Sequence, residues 1–494
     1  MSFSLSKSKY CCAVQCPKML WLKKNKPEEF DDSVMNEDVL NTGNEVGDLA
    51  MGFFGDFVEV PFDLGIAGMI EKTKELIKAG TPIIAEASFS YKGLFCSVDI
   101  LKNYGNNTVE LIEVKSSTEI KDIYLSDIAY QYYVLTGLGY KVKKVCLAYI
   151  NNEYVRHGEL NLKELFKVED CTSEATRRFS EVDKNIAALR EYMKQTEEPL
   201  DDIGTHCFNP YGCGYWGYCT RHLQHPNVFD VRGLAKKKMF ECYDEGLITF
   251  EQLNTCDRLS ASQYTQVEHE LFKYPPHINK EAIKAFMDTL TYPLYFLDFE
   301  TCQYAIPQYD NSKPYQQITF QYSLHYIEKE GRELKHKEYL AYPGEDPRRK
   351  LAEQLCKDIP KDVCVMAYNM SFEKGRIKEM ADIYPDLAEH LINIREHIVD
   401  LMIPFQHKDY YSREMQGSYS IKYVLPALFP NNPSLDYHNL EEVHHGGEAS
   451  ATFKKMATME PEALERSRVN MLKYCGLDTF AMVKVWEKLK EEVN

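Results

Sequence analysis

Residues 94–117 read LFCSVDILKNYGNNTVELIEVKSS, and the rest of the chain can be placed outward from them. Two apolar runs flank the turn signal NYGNN, which predicts an antiparallel strand pair. Asp99 falls in the first run, and Glu113, Val114 and Lys115 close the second. Side chains alternate along a strand, so Glu113 and Lys115 share one face and Val114 takes the other. Two carboxylates and an ammonium in such apolar company are costly to bury without a use. Carboxylate oxygens suit a hard divalent cation such as Mg²⁺. Such a cation polarises a phosphodiester and lowers the pKa of bound water, while a lysine orients that water or stabilises developing charge. An E-x-K triplet also occurs often on an ordinary solvent-facing strand, so its meaning depends on what surrounds it.

Upstream, IIAEASFSY (83–91) predicts another strand, carrying Glu86; downstream, YLSDIAYQYYVLTGLG (124–139) predicts a helix carrying Gln131, and KVCLAYI (144–150) a further strand. These belong to a first segment, 1–222. Residues 223–291 show helical periodicity with polar faces and predict a helical connector, closed by prolines on both flanks of PPHINKEAIKAFMDTLTYP. A second α/β pattern fills 292–494, with LYFLDFET, ITFQYSLHYI, VCVMAYN and HIVDLMIPF as strands and helices between and after them. Three segments suit a chain of 494 residues at roughly 150 per domain.

Hydrophobic residues make up 44% and charged residues 27% of the chain, the balance of a folded α/β protein. No apolar run approaches the ~18 residues of a membrane helix, and the start of the chain is too interrupted by charge to serve as a signal peptide. A cytoplasmic location without membrane contact is therefore expected, and in that reducing setting 15 cysteines argue against a disulfide framework. The net charge of −17 excludes a generic polyanion-binding surface. It does not exclude nucleic acid, because carboxylates gathered around divalent cations inflate the acidic count. Basic runs exist at Lys7, Lys9, Lys18, Lys23, Lys24 and Lys26, and at Arg232 with Lys236 to Lys238; taken alone, each reads most simply as a solvated face.

Cysteines cluster in HCFNPYGCGYWGYCTR (206–221), where Cys207, Cys213 and Cys219 are separated by five residues each. Cys16, in CPKMLWLKK, is a candidate fourth ligand. Four thiolates can hold a [4Fe–4S] cluster. Structural zinc is the competing reading, although the short C-x₂₋₄-C knuckles usual for zinc are absent.

A second carboxylate set lies downstream. LYFLDFET ends in Asp298-Phe299-Glu300, two carboxylates on one strand face, and LKYCGLDTFAMVKVW places Tyr474 and Asp478 one helical turn apart. Three carboxylates and a tyrosine suit two-metal hydrolysis, with the phenol orienting the attacking water. Separately, D-x-E and Y-x₃-D are weak signals.

In order and spacing these sets resemble known nuclease families. Asp99, then Glu113-x-Lys115 fourteen residues on, then a helix with Gln131, resembles the PD-(D/E)XK nuclease fold in its RecB-like branch. The resemblance implies that Asp99, Glu113, Lys115 and Gln131 are catalytic, and that Glu86, Asp99 and Glu113 face a metal. Where that branch often has a histidine on its first helix and a tyrosine four residues after the glutamine, this chain has Glu45 in TGNEVGDLA and Leu135. One upstream and three downstream cysteines resemble the iron–sulfur members of that branch, the AddB type among them. They imply a [4Fe–4S] cluster on Cys16, Cys207, Cys213 and Cys219 that staples the first helix to the end of the domain.

Asp298, Glu300, Tyr474 and Asp478 resemble the first and third motifs of DnaQ-like exonucleases of the RNase H-like superfamily. The middle motif appears as VCVMAYNMSFEKGRI, with Glu373 in place of the usual aspartate. Asp400 matches a strand residue of that family, Lys422 is a candidate phosphate contact, and His445 in HHGGEAS is a rival third motif of the histidine type. The chain as a whole is similar to a bacterial family, catalogued as a domain of unknown function, that joins the two nuclease types. The resemblance implies a nuclease using Mg²⁺ or Mn²⁺ at Asp298, Glu300 and Asp478 as at the first site. Its substrate would be nucleic acid, DNA ahead of RNA, with a helicase or a defence system as partner. An RNA-processing enzyme, and a nucleic-acid-binding scaffold with decayed sites, are the other readings.

Overall fold

The computed structural model describes residues 4–34 and 37–493, and the chain is a mixed α/β protein. It divides into two compact units: one reaches Leu223 and includes Tyr304–Tyr315, and the other comprises Gln224–Gln303 and Gln316–Asn494.

The first unit is built on a seven-stranded mixed sheet. Its strands are β1 (Leu5–Ser6), β2 (Val58–Glu59), β3 (Ile83–Tyr91), β4 (Leu94–Asn103), β5 (Thr108–Lys115), β6 (Lys141–Ile150) and β7 (Phe166–Asp170). The order is β2-β3-β4-β5-β6-β7, with β1 added beside β4. Lys92 and Gly93, both at positive φ, turn β3 into β4. A two-residue hairpin loop of that hand matches the strand twist, and glycine enters it without steric penalty. Asn106 and Asn107, also at positive φ, help turn β4 into β5.

β4 and β5 pair only from Ile100↔Ile112 to Asn103↔Val109. Beyond that the ladder forks: β5 continues along β6 as far as Lys115↔Tyr149, whereas the start of β4 pairs with Leu5 and Ser6 of β1. Asp99 and Glu113 sit at the mouth of this fork. Helix α1 (Lys7–Gln15) leaves β1 directly, capped by Ser6, whose side chain accepts from the Lys9 N–H. Cys16 ends α1 in an extended conformation and starts α2 (Pro17–Asn25), where Pro17 fills the first helical position. Helix α3 (Asp122–Gly137) and helix α4 (Thr172–Tyr192) cover the sheet through Ile128, Tyr130, Val134, Val182 and Ile186.

The segment expected to be a separate connector, 223–291, packs within the second unit from Gln224 onward. It has a small core of Val228, Val231, Leu234, Phe250, Leu253 and Val267. It also provides β8 (His277–Ile278), which pairs with β14 (Tyr410–Tyr411), so no structural break falls at 292. The main sheet of this unit has five strands: β9 (Leu294–Cys302), β10 (Ile318–Ile327), β11 (Lys335–Leu340), β12 (Cys364–Ala367) and β13 (Ile398–Asp400). Its order is β11-β10-β9-β12-β13; the first three run antiparallel, and β12 and β13 lie parallel to β9 and to each other. Helices α5 (Ser371–Ile383), α6 (Ile421–Leu428), α7 (Gly446–Met456) and α8 (Pro461–Val493) position the residues considered below.

The strand expected over HIVDLMIPF is correct only at its start. The Asp400 carboxylate accepts the Met402 N–H at 3.0 Å and turns the chain, which then coils through Ile403–Gln406. No helix among the described residues is long and apolar enough to cross a membrane.

Candidate active sites

In the first unit, the fork between β4 and β5 gathers Glu86, Asp99, Glu113, Lys115 and Gln131. Glu113 is buried, and its carboxylate accepts from the Lys115 ammonium at 2.7 Å and from Gln131 Nε2 at 2.7 Å. The Glu113–Lys115 contact places both side chains on one strand face, as alternation requires. Asp99 Oδ2 accepts the Val114 N–H at 2.7 Å, closing the mouth of the fork. Glu86, opposite Asp99 between the Ala85↔Ile100 and Ala87↔Val98 pairs, sits at positive φ.

Two further residues join this cluster. Asp127, one turn before Gln131 on α3, accepts from Lys115 at 2.8 Å and from Gln131 at 2.9 Å. Lys7, the first residue of α1, donates to both Glu113 oxygens at 2.9 Å and to Asp99 Oδ1 at 3.3 Å. The spacing of Asp127 and Gln131 on one buried helix face was the signal for the former. Lys7 had none beyond its membership of a basic run.

Burial, followed by the charges of Asp127 and Asp99, pushes the Glu113 carboxyl up to about 7. Burial and then Asp99 raise Glu86 to about 7. Burial alone would lower the Lys115 ammonium, but the Asp127 and Glu113 carboxylates raise it, so it stays charged. An all-oxygen donor set in which burial raises the pKa of Glu86 and Glu113 fits a hard divalent cation, which would favour the ionised carboxylates.

Cys16, Cys207, Cys213 and Cys219 line one cavity with Met19, Ile203, Tyr215 and Trp216. Burial raises all four thiols, and Cys213 raises the other three further by proximity. Cys207 and Cys213 are also joined through the backbone, the Cys213 N–H donating to the Cys207 carbonyl at 2.9 Å. Four thiols around one small apolar cavity fit a thiolate-ligated cluster or metal, whose charge would reverse the cost of ionising them. Cys11 and Cys12 instead pack against the core.

In the second unit, Asp298 and Glu300 lie on the central strand β9. A bulge places one extra β10 residue between Thr319↔Thr301 and Gln321↔Glu300. That residue, Phe320, stacks on Phe453 of α7 at 4.1 Å between ring centroids. The contact brings the start of α7 against β9: a Cβ on Gly446 would lie 3.3 Å from Glu300 Oε2.

Helix α8 also packs against β9 and β10 here. Gln321 Nε2 donates to the Met471 carbonyl at 2.9 Å, and the Ser323 and Thr479 hydroxyls meet at 2.6 Å. Asp478, Tyr474 and Cys475 are thereby held at β9. Asp298, Glu300 and Cys475 each offer a ligand atom, all within 4.8 Å of one another. Tyr437 donates to Asp478 Oδ1 at 2.6 Å. Cys475 and Tyr437 had not been singled out in the sequence; Cys475 adjoins Tyr474, but nothing in the sequence links Tyr437 to a carboxylate 41 positions away.

Glu373 stands in the first turn of α5, buried, with Oε2 lacking a hydrogen-bond partner. Its position is fixed by Asp400, whose carboxylate accepts the Asn369 and Met370 N–H groups at 3.0 Å each and so pins the turn before α5. Asp400 is thus a positioning residue. Burial, then Asp478, Glu300 and Glu373, raise the Asp298 carboxyl well above the usual range; burial and then Asp478 do the same for Glu300. Burial raises Asp478 to about 6 against the hydrogen bond from Tyr437. Burial and, among the raising charges, Asp400 take Glu373 to about 8. Lys422, exposed on α6, is near enough to lower both Glu300 and Asp478. His445 caps α7 and pairs with Glu448 at 3.5 Å, one residue from Gly446. The four carboxylates, mutually repelling in a buried space, fit a site for divalent cations.

The family model described as "Domain of unknown function (DUF2779)" matches residues 295–420, which include Asp298, Glu300, Glu373 and Asp400. The chain is 28% identical over 241 residues to an uncharacterized protein of Ureaplasma parvum serovar 3, covering 44% of this chain and 34% of that one. It is 26% identical over 211 residues to an uncharacterized protein of Mycoplasma genitalium, covering 38% and 31%. The aligned part thus spans about a third of the length of these curated relatives. No solved structure gives a significant match.

Proposed function

We propose that the protein is a metal-dependent nuclease that hydrolyses phosphodiester bonds of nucleic acid, DNA ahead of RNA, at one site in each unit. The observation that carries this reading is the gathering of Asp298, Glu300, Glu373 and Asp478 in one buried space, with the pKa of each pushed up. Mg²⁺ or Mn²⁺, held by Asp298, Glu300 and Asp478, would supply polarisation of the phosphodiester and activation of water. The residues of the chain do the rest. Tyr437 fixes the orientation of Asp478, Tyr474 lies one helical turn from it and would orient an attacking water, Glu373 would add a carboxylate from α5, and Lys422 offers an exposed ammonium to a phosphate.

In the first unit Asp99 and Glu113, with Glu86, would hold the cation. Lys115, pinned between Glu113 and Asp127, directs its ammonium at the reacting phosphate, and Gln131 fixes both carboxylates that flank it. We read this unit as a RecB-like PD-(D/E)XK nuclease in which Cys16, Cys207, Cys213 and Cys219 would hold a [4Fe–4S] cluster that ties the junction of α1 and α2 to 207–219. We read the second as a DnaQ-like exonuclease of the RNase H-like superfamily; its mixed sheet, with carboxylates on the central strand and on helices packed beside it, supports that reading. A helicase or defence system is the partner class that suits such a pair.

The test uses anaerobically purified full-length protein with end-labelled single- and double-stranded DNA and RNA, in Mg²⁺ or Mn²⁺. Cleavage should appear with wild type and vanish in the Lys115→Ala, Asp298→Ala double variant. Absence of cleavage of every substrate by wild type, or cleavage unchanged in the double variant, would overturn the reading.

A further inference from the structure

Lys7 is placed where a divalent cation bound by Asp99 and Glu113 would have to go. Its ammonium contacts both Glu113 oxygens and Asp99 Oδ1, bridging the two carboxylates across the mouth of the fork. The other partners of these carboxylates are fixed by the sheet or by α3, Lys115 through its second contact with Asp127 at 2.8 Å. Val114 N–H is strand backbone, Lys115 is on β5, and Gln131 lies fully buried on α3. Lys7 alone among them arrives from the first position of α1, with a side chain about a quarter exposed. A flexible four-carbon stem lets its ammonium withdraw toward water. An ammonium and a divalent cation on the same two carboxylates would repel each other strongly in a partly buried site.

We propose that Lys7 is a built-in competitor for the divalent cation of the first site, displaced from Asp99 and Glu113 when the cation binds. The proposal rests on the reading of Asp99 and Glu113 as cation ligands. It gives the first site a threshold that the second lacks, because Lys422, the lysine whose charge reaches Glu300 and Asp478, stands exposed on α6 and, among the described residues, makes no ion pair with them. It also gives α1 a second task. The helix starts at Lys7 and ends on Cys16, a rise of roughly 14 Å at ~1.5 Å per residue, so the cysteine-lined cavity sets where the competing ammonium lies.

The experiment measures Mn²⁺ binding to full-length protein at pH 7, by electron paramagnetic resonance of free Mn²⁺ and by calorimetry. The background is Asp298→Ala with Asp478→Ala, which disables the second site. Lys7→Met and Lys7→Gln should each bind Mn²⁺ more tightly than the Lys7 protein, by on the order of tenfold, about 1.4 kcal/mol. Lys7→Arg, which keeps the charge, should stay weak, and Glu113→Gln should abolish the binding. Circular dichroism and thermal melting confirm folding of each variant. Binding that is Glu113-dependent but equal or weaker in both Lys7→Met and Lys7→Gln overturns the role of Lys7 and leaves the cation site standing. Tight binding by Lys7→Arg also overturns it. No Glu113-dependent binding in any variant overturns the cation reading of the first site, and this proposal with it.

Discussion

Replacing Glu373 by Gln separates the cost of this carboxylate from its use. The side chain is 2% exposed, one oxygen has no hydrogen-bond partner, and its carboxyl ionises at about 8 rather than 4.5. Between those values the folded protein keeps a proton that the unfolded chain has lost, so stability falls as pH rises from about 4.5 to about 8 and then levels off. The ionised group therefore costs the metal-depleted protein on the order of 5 kcal/mol above pH 8, at ~1.36 kcal/mol per pH unit. Glutamine has the same shape and no charge, so Glu373→Gln escapes the penalty. Guanidinium midpoints for unfolding of the second unit, measured after divalent chelation from pH 5 to 8.5, should converge for the two proteins near pH 5. They should diverge upward, with the variant more stable. Added Mn²⁺ should raise the wild type at pH 8 more than the variant, because only the wild type brings this charge to the cation. Exonuclease activity should fall in the variant by on the order of a hundredfold, whereas Glu373→Asp should retain it. Parallel pH profiles for wild type and Glu373→Gln, together with equal activity, would show that Glu373 neither ionises in the site nor serves it.

Three further outcomes follow from the same structure. Anaerobic protein should be brown with about four irons per chain, and Cys213→Ser should bleach it and lower the melting temperature of the first unit; stoichiometric zinc without iron would refute the cluster. Lys115→Ala should remove one cleavage pattern while leaving an Asp298-dependent pattern, read on sequencing gels; loss of all cleavage in either single variant would refute independent sites. Gly446→Val should weaken second-site activity several-fold without touching the first, because a Cβ there already stands 3.3 Å from Glu300 Oε2; an unaffected variant would place α7 away from the reacting centre.

The strands carrying Asp99, Glu113, Asp298 and Glu300 were legible because each is an apolar run bounded by turn residues, and a strand's two-residue repeat fixes which side chains share a face. The cysteine cavity was legible in its members, although periodicity could not tell that α1 and α2 meet at Cys16. Residues that converge only through tertiary packing were not legible. Lys7 reaches the first site because β1 inserts beside the start of β4 where β5 leaves it, a pairing of two residues with no pattern of its own. Tyr437 reaches Asp478 from an irregular segment. Asp400 matched a motif, but its use emerged only from the three backbone N–H groups it accepts, which no spacing announces. The bulge at Phe320 was equally hidden, since an extra residue in one strand leaves the alternation of its neighbours intact locally.

The two sites handle the same electrostatic problem differently. In the first, Glu86, Asp99, Glu113 and Asp127 are matched in part by two ammonium groups in direct contact, Lys7 and Lys115. In the second, Asp298, Glu300 and Asp478 have tyrosine hydroxyls, a thiol and the more distant charge of Lys422, and Glu373 has the nearby guanidinium of Arg376. A neutral hydroxyl can orient a carboxylate but cannot offset its charge, so protons or cations must do so there. That difference predicts where the demand for divalent cations is greater. It also bears on the net charge of −17, which would otherwise argue against a polyanionic substrate. Several of these carboxylates are buried and directed inward, where bound cations would reverse their sign toward a phosphate. The acidity of the whole chain is then partly a property of its two interiors, and the surface that a nucleic acid would meet is less acidic than the composition suggests.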